Sequence, residues 1–250
     1  MKLKVITLNM WQGMFLDEVI GWLKQENPDV VMLQEAIGKG EGKFEGVNQG
    51  GFEKIEAALG MDGVHQPMAM IKNEQGFYEF GMGVLTKYEF EQNIGEFYIN
   101  QFRQVSDLLE INEQYPGLLV EVRLGMDGKE VEVLTTHFVW SMYPEITATQ
   151  VEAAKKLKQL LRDKDNFILG GDFNVTDSSE VYKIISDGLV DDRPASVETT
   201  LHPKIHRVKG IKLAVDFLFH KGERIKLIKS EVPMVPISDH LPIVGFYEIN

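Results

Sequence analysis

Short apolar runs rich in β-branched residues recur along the whole chain and predict a series of β-strands. The clearest runs are Leu3–Leu8, Val30–Leu33, Gly83–Thr86, Leu118–Val122, Val131–Thr136, Phe167–Gly170, Leu213–Phe219 and Leu241–Tyr247. Polar or turn-forming residues separate them, which is typical of strands buried within a sheet.

Three other segments have apolar residues every three to four positions, which predicts helices. They are Asp17–Gln25, which Asn27-Pro28 closes, Pro144–Arg162, and a segment from about Ser178 to Ser186 with Asp177 as its expected N-cap. Strands outnumber helices and follow in mixed order, which favours an α+β fold with packed sheets over a doubly wound parallel sheet. No repeat or linker divides the chain, so we expect residues 1–250 to form a single domain.

The glycine-rich segment Gly38–Gly51 resembles a phosphate-binding loop only superficially. The distance from Gly38 to Lys43 is one residue too short for that motif, and Phe44 stands where serine or threonine is required. We therefore interpret this segment as a mobile loop that could border a substrate cleft.

Composition narrows the class of protein. The 250-residue chain has no cysteine, which excludes disulfides, thiolate zinc sites and cysteine nucleophiles. It shows no signal-peptide pattern and no apolar stretch of the roughly 18–20 residues that span a bilayer, so we expect a cytoplasmic monomer without a transmembrane segment. A net charge of −12 disfavours nonspecific nucleic-acid binding without excluding a local basic surface.

The main chemical signal is the position of the polar residues. Predicted strands end in, or lead into, a carboxylate, an amide or an imidazole at Asn9, Glu35, His137, Asp172 with Asn174, Asp216, and Asp239 with His240. A lone residue of this kind is often only a turn residue, but six such strand ends predict one cleft. Burying so many carboxylates without a cation is costly, so a metal is expected, and oxygen ligands suit Mg²⁺ or Mn²⁺.

Two other hydrolase chemistries lack their motifs. His137 and His240 do not have the HExxH spacing of zinc hydrolases, and the chain has no GxSxG nucleophile elbow. The two histidines are therefore predicted to serve in acid–base chemistry or phosphate contact.

Six motifs in order, TLN (7–9), LQE (33–35), TTH (135–137), GGDFN (170–174), VDFLF (215–219) and SDHLPI (238–243), resemble those of the endonuclease/exonuclease/phosphatase superfamily. GMGVLTK (81–87) is similar to a Gly-x-Gly strand of that family, and the resemblance runs from residue 3 to about 247. It implies a four-layer α/β sandwich, with two mixed sheets packed face to face and helices outside.

The resemblance and the chemistry together imply in-line attack of water on phosphorus without a covalent intermediate. Glu35 is the expected principal metal ligand with Asn9 beside it, and Asp239 is a ligand or the partner of one. The remaining implied roles are water activation by Asp172, hydrogen bonding by Asn174, phosphate contact by His240 held by Asp216, and phosphoryl or leaving-group contact by His137. Glu79 either orients His137 or is a surface residue, and His65, His202, His206 and His220 are interpreted as surface or packing residues.

The substrate is less well defined, and three hypotheses stand. The protein is a phosphodiesterase or nuclease, a phosphatase or phosphodiesterase of a small or lipid phosphoester, or, remotely, a silent binding module. Arg103 and the run from His202 to Lys212 offer positive charge, although an ordinary solvated loop explains that run equally well. Aromatic candidates for stacking on substrate are Trp11, Phe138, Trp140 and Tyr143.

Two departures from the family pattern weaken the transfer of substrate contacts. Tyr115-Pro116-Gly117 stands where an arginine is common, and Thr147-Ala148-Thr149 precedes Gln150 without the usual arginine. Neither departure affects the expected metal site.

Overall fold

The computed structural model describes residues 1–126, 128–141 and 145–250. Within these ranges the elements are β1 (Lys2–Asn9), α1 (Leu16–Glu26), β2 (Val30–Gly42), α2 (Gly51–Leu59), β3 (Asp62–Asn73), β4 (Gly76–Thr86), β5 (Phe90–Ile99), β6 (Arg103–Val105), β7 (Gly117–Met126), β8 (Lys129–His137), α3 (Ala148–Arg162), β9 (Phe167–Asp172), α4 (Glu180–Ser186), β10 (Val190–Asp191), β11 (Asp216–Lys221), β12 (Ile225–Glu231) and β13 (Ile243–Ile249). Short 3-10 helices occupy Trp11–Gly13 and Leu108–Gln114.

The strands form two mixed sheets. A seven-stranded sheet has the order β12-β13-β1-β2-β4-β3-β6, and a six-stranded sheet has the order β10-β11-β9-β8-β7-β5. The pairs β1–β2, β3–β6 and β8–β9 are parallel, and the other pairs are antiparallel. The expected α+β sandwich with two mixed sheets is confirmed.

Strand alternation produces the layers. Val5 and Met32 belong to the larger hydrophobic cluster, which includes residues of both sheets, whereas Ile6 and Leu33 pack in a second cluster with Leu23 of α1. Successive side chains of a strand point to opposite faces, so β1 and β2 are covered on both sides. The seven-stranded sheet therefore lies between α1 and α2 on one face and the second sheet on the other.

The same alternation in β11 directs one set of side chains toward the site. Phe217 and Phe219 contact the ring of Tyr182 in α4, with ring centroids 4.9 and 6.0 Å away. Asp216 and Leu218 belong to the opposite face, which faces the seven-stranded sheet. The carboxylate of Asp216 is thereby directed between the two sheets.

Helix boundaries follow the capping residues, with one correction. Asn27 ends α1 in the left-handed conformation just before Pro28, as the sequence predicts. Thr147 and Gln150 form a capping box at α3, which begins later than the expected Pro144, a residue outside the described ranges. The expected N-cap Asp177 is wrong: Ser179 caps α4 by accepting from the backbone N–H of Tyr182. No helix in the described part of the chain has the length and apolarity to cross a membrane.

The glycine-rich segment is a loop only in part. Its first five residues continue β2, and its last residue opens α2. Gly42 has a φ of +99°, and a Cβ there would lie 1.9 Å from the carbonyl oxygen of Gln75. The glycine is thus required by the close approach of β2 to the turn before β4. In the same way, the predicted strands at Leu213 and Leu241 begin later, at Asp216 and Ile243.

Candidate active site

Strand register in the six-stranded sheet places three predicted residues in one row. Asp172 at the end of β9 is opposite His137 at the end of β8 and opposite Asp216 at the start of β11. The glycine that precedes Asp172 allows this close packing, because a Cβ on Gly171 would lie 2.0 Å from the backbone oxygen of Thr136. The GGD sequence therefore fixes the position of the carboxylate.

The seven-stranded sheet contributes Asn9 and Glu35 from the ends of β1 and β2. Glu35 has a φ of +50°, and the β2–β4 register shifts between Leu33 and Ala36. A bulge with left-handed backbone re-aims a side chain, and such strain is concentrated at functional sites. The neighbouring Gln34 is fully buried and donates to Thr135 Oγ1 across the sheets at 2.8 Å.

The third contribution comes from the turn before β13. Ser238 Oγ donates to the backbone oxygen of Asn9 at 2.7 Å, and His240 forms an isolated antiparallel bridge with Leu201. These contacts attach Asp239 and His240 to the end of β1. Both side chains lie in the same cleft as the two strand ends.

Asp172 is the hub of the side-chain contacts. Its Oδ2 accepts from Asn9 Nδ2 at 3.1 Å and lies 3.4 Å from His137 Nε2 and 3.7 Å from His240 Nε2. Its Oδ1 accepts from the backbone N–H of Asn174 at 2.9 Å. Asn174 itself has a φ of +52° and uses Nδ2 to donate to the carbonyl of Phe138 at 3.0 Å, which leaves a second N–H.

His240 lies between two carboxylates. Its Nδ1 is 2.9 and 3.1 Å from the two carboxylate oxygens of Asp216, and its Nε2 faces Asp172. Burial lowers the pKa of His240, but Asp216 and Asp172 outweigh it and hold that pKa well above its ordinary value. The imidazole is therefore kept protonated around neutral pH.

The carboxylates divide into two kinds. Burial raises the pKa of Asp172, but His240 and His137 together with its hydrogen bonds bring that pKa down to about 2. For Glu35, burial raises the pKa and the nearby charge of Asp239 adds to it, against the opposing pull of His137 and His240. Burial likewise raises the pKa of Asp239. Glu35 and Asp239 thus share a site where a cation would stabilise their charged forms.

Tyr115 is a site residue that the sequence did not reveal. Its hydroxyl lies 2.8 Å from Nδ1 of His137, and its ring meets the imidazole edge-on. The available signal was the position itself, because Tyr115 stands where the family pattern has an arginine. The tyrosine is buried and belongs to the core by its apolar surroundings, so its hydrogen bond is visible only in three dimensions.

The alternative partner of His137, Glu79, lies elsewhere. Its Oε2 accepts from the backbone N–H of Lys39 at 3.3 Å, and no contact with His137 occurs in the described residues. His65 contacts the carbonyl of Ala36 at 3.1 Å, and its burial lowers its pKa. His220 contacts Asp192 at 2.8 Å, away from this cluster.

The expected substrate contacts have mixed outcomes. Trp11 is half-buried beside the site: its backbone N–H donates to Asn9 Oδ1 at 3.0 Å, and its ring packs 6.2 Å from Phe15. Trp140 is half-buried against the larger core, and Arg103 is half-buried on the edge strand β6. Stacking on substrate by Phe138 is wrong because that ring is completely buried against Tyr98. Tyr143 lies outside the described residues.

Two sets of residues could hold a metal. Ligand atoms of Asp172, Asp216 and His240 lie within 4.8 Å of one another, although His240 Nδ1 is already bonded to Asp216. The second set is the predicted Asn9, Glu35 and Asp239. Asn9 uses Nδ2 to donate to Glu35 Oε1 at 3.3 Å as well as to Asp172, so its amide also joins the two carboxylates.

Comparisons with known proteins agree with this geometry. Residues 6–240 match the model of the Endonuclease/Exonuclease/phosphatase family. An endonuclease/exonuclease/phosphatase from Beutenbergia cavernae is 18% identical with a TM-score of 0.73, over 100% of this chain and 72% of that chain.

Two further solved structures are similar over 99% of both chains with TM-scores of 0.67. They are a mannosyl-6-phosphatase from Bacteroides thetaiotaomicron, at 18% identity, and D. rerio TDP2 complexed with a single-strand DNA product, at 16% identity. A comparison with curated proteins finds no match. At these identities the structural likeness establishes the fold.

Proposed function

The chain belongs to the endonuclease/exonuclease/phosphatase family of phosphoesterases, and from that premise we propose that it is a Mg²⁺- or Mn²⁺-dependent phosphodiesterase or nuclease. The observation that carries the proposal is the buried Asp172 carboxylate, which contacts two imidazoles and an amide where both sheets end. Such a carboxylate can hold a water, and the cationic His240 beside it can hold an anion.

The residues present fit the expected metal. Glu35 and Asp239 are buried carboxylates whose pKa values are raised, and Asn9 adds an amide oxygen next to them. Hard oxygen donors of this kind favour Mg²⁺ or Mn²⁺. We assign the metal to Glu35, Asp239 and Asn9. When bound, it would polarise a phosphoryl oxygen and offset charge in the transition state.

The chain's own residues carry the remaining steps. Asp172 is ionised at neutral pH, orients the attacking water and takes up its proton as the oxygen–phosphorus bond forms. His240, kept cationic by Asp216, donates Nε2–H to a phosphoryl oxygen. His137 donates to the phosphoryl group or to the leaving oxygen as the bond from phosphorus to that oxygen breaks, and the free N–H of Asn174 holds the water or a phosphoryl oxygen.

A second candidate is a phosphatase or phosphodiesterase of a small or lipid phosphoester. The net charge of −12 favours it, because an acidic surface repels a long phosphate backbone. The cleft chemistry is the same in both cases. The two candidates differ in the group attached to phosphorus.

Hydrolysis of bis-p-nitrophenyl phosphate and p-nitrophenyl phosphate, beside plasmid nicking, tests the proposal. We expect turnover with Mg²⁺ or Mn²⁺, none with EDTA, and a loss of at least about a hundredfold in Asp172→Asn. Asp192→Asn is the matched control, since it removes a buried carboxylate that contacts an imidazole outside the site. Turnover that is unaffected by EDTA or by Asp172→Asn would refute the mechanism.

A further inference from the structure

Residues 199–215, here called the basic loop, contrast with the rest of the chain. The protein has 38 acidic and 26 basic residues, yet this segment contains Lys204, Arg207, Lys209 and Lys212 and no aspartate or glutamate. An acidic protein that concentrates cations in one segment presents a local attractive surface for anions.

The start of the basic loop is attached directly to the catalytic turn. Leu201 bridges His240, the backbone N–H of His202 donates to the Asp239 carbonyl at 2.7 Å, and that of Leu241 donates to the Thr200 carbonyl at 2.6 Å. Lys204 follows His202 by two residues, so its Cα lies within about 7 Å of that of His202. The cations of the loop are therefore held beside Asp239 and His240.

The end of the basic loop is fixed to the other side of the same site. Thr200 Oγ1 accepts from the backbone N–H of Val215 at 3.0 Å and from that of Asp216 at 3.1 Å. Asp216 is the residue that holds His240. Both ends of the loop are thus bonded to the residues that position the proposed phosphate-binding imidazole.

A buried histidine shapes the turn within the basic loop. His202 Nδ1 accepts from the backbone N–H groups of Lys204 and Ile205, both at 3.2 Å. Lys209 Nζ donates back to the carbonyls of Lys204 and Ile205 at 2.7 and 3.2 Å. These bonds give the loop a defined shape although it lies outside the strands.

Not all of its cations are neutralised. Lys212 pairs with Glu198 at 2.9 Å, whereas Lys204 and Arg207 are exposed and have no carboxylate partner in the described ranges. Half-buried His206 faces inward, because its charge acts to lower the pKa of Asp239. The loop thus presents Lys204 and Arg207 to solvent next to the cleft.

We propose that the basic loop binds a second phosphate of the substrate, next to the phosphate that is cleaved, through Lys204 and Arg207. This rests on the proposed function, since it names a substrate class for the same site. Two sources supply such a phosphate: the backbone of a nucleic-acid strand, or a small molecule that carries several phosphates. A lysine and an arginine suit either, because both bind phosphate oxygens.

Binding without turnover tests the proposal. All variants carry Asp172→Asn, and the probe is a fluorescent single-stranded DNA 10-mer in Mg²⁺, with inositol hexakisphosphate as competitor. The test variant is Lys204→Glu/Arg207→Glu. The matched control is Arg224→Glu/Lys226→Glu, which makes the same charge change at exposed positions at the far end of the β12–β13 pair.

We expect the test variant to bind about tenfold more weakly and the control to stay within about twofold. For the oligonucleotide, the slope of log affinity against log salt should fall by about 1.4, at roughly 0.7 for each phosphate contact that is lost. A loss for the oligonucleotide alone assigns the loop to nucleic acid, and a loss for inositol hexakisphosphate alone assigns it to a small polyphosphate.

Equal binding by the test and control variants overturns the proposal. The outcome is separate from that of the proposed function, which depends on turnover of bis-p-nitrophenyl phosphate by the wild-type protein. In a protein that does turn over, the ratio of kcat/KM on the oligonucleotide to kcat/KM on the small diester should also fall about tenfold in the test variant.

Discussion

The phenol of Tyr115 and the imidazole of His137 form a buried hydrogen-bonded pair, with 2.8 Å between the hydroxyl oxygen and Nδ1. Burial raises the pKa of Tyr115 well above its usual value, so the phenol keeps its proton and donates it to Nδ1 of the neutral ring. The ring proton then lies on Nε2, which is 3.4 Å from Asp172. The tyrosine thus fixes the tautomer of His137 and directs its N–H into the cleft.

Replacing Tyr115 with phenylalanine should lower kcat on bis-p-nitrophenyl phosphate about tenfold, which corresponds to about 1.4 kcal/mol. The reason is that Nδ1 loses its donor, and His137 then populates the tautomer that presents no N–H to the phosphoryl group. KM should change little, because the phenol acts through His137. Steady-state kinetics beside thermal unfolding would measure both effects.

Tyr98→Phe is the matched control for this prediction. The Tyr98 hydroxyl is also buried and lies 2.9 Å from Thr136 Oγ1, one residue before His137. Its loss should reduce stability while leaving kcat near the wild-type value. Equal kinetic losses in the two variants would show that packing of the tyrosines, rather than orientation of His137, explains the result.

The pH dependence should report the His240–Asp216 pair. The raised pKa of His240 keeps the imidazole cationic, so activity that needs this cation is lost only as pH rises through that raised pKa. Asp216→Asn removes one of the two carboxylates that raise it. The alkaline limb of the kcat/KM profile should therefore move to lower pH, measured from about pH 5 to about pH 10.

The same change at Asp192 is the control, because that carboxylate contacts His220 and Tyr247 instead. Asp192→Asn should lower the free energy of unfolding and leave the alkaline limb in place. An unchanged limb in Asp216→Asn would mean that His240 is not the group whose protonation limits activity.

The polar ends of buried strands could be read from the sequence, and the reason is the regularity of strands. Val133-Leu134-Thr135-Thr136 and the run up to Gly171 are apolar and uninterrupted, so the polar residue that follows marks the sheet edge. Register then brings His137 and Asp172 together. A search for apolar runs cannot find exposed or irregular strands: β12 alternates polar and apolar residues at a sheet edge, and β3 contains Pro67.

Other differences arise because tertiary contacts decide between local alternatives. Asp177 and Ser179 are both good N-caps by residue type, but Asp177 is drawn into an ion pair with Arg193 at 2.7 Å. Helix α2 did have a signal, since Phe52, Ile55 and Leu59 recur at helical spacing. The glycines before it masked that pattern.

Gly171→Ala should be strongly destabilising, because the new Cβ would meet the Thr136 backbone oxygen at 2.0 Å. Overpacking against backbone costs about 1–3 kcal/mol, and the forced shift of β9 from β8 should separate Asp172 from His137 and lower kcat as well. Chemical denaturation and kinetics would measure the two losses. Gly21→Ala in α1 is the contrasting control: nothing lies within 4 Å of its added Cβ, so a gain of about 0.5–1 kcal/mol is expected.

Metal binding should stabilise the fold through Glu35. This carboxylate is buried with a raised pKa, and the charge of Asp239 adds to that rise, so a cation relieves a cost that the apo site carries. At a Mg²⁺ concentration about 100-fold above Kd, the wild-type protein should gain about 2.7 kcal/mol, seen as a higher Tm that EDTA reverses. Glu35→Gln should be less sensitive to Mg²⁺ and should show no heat of binding by calorimetry. Glu79→Gln, whose carboxylate contacts Lys39 outside the cluster, should retain the full shift. A Mg²⁺-induced shift that survives in Glu35→Gln would transfer the site to the Asp172, Asp216 and His240 set, because those are the other clustered ligands in the described part of the chain.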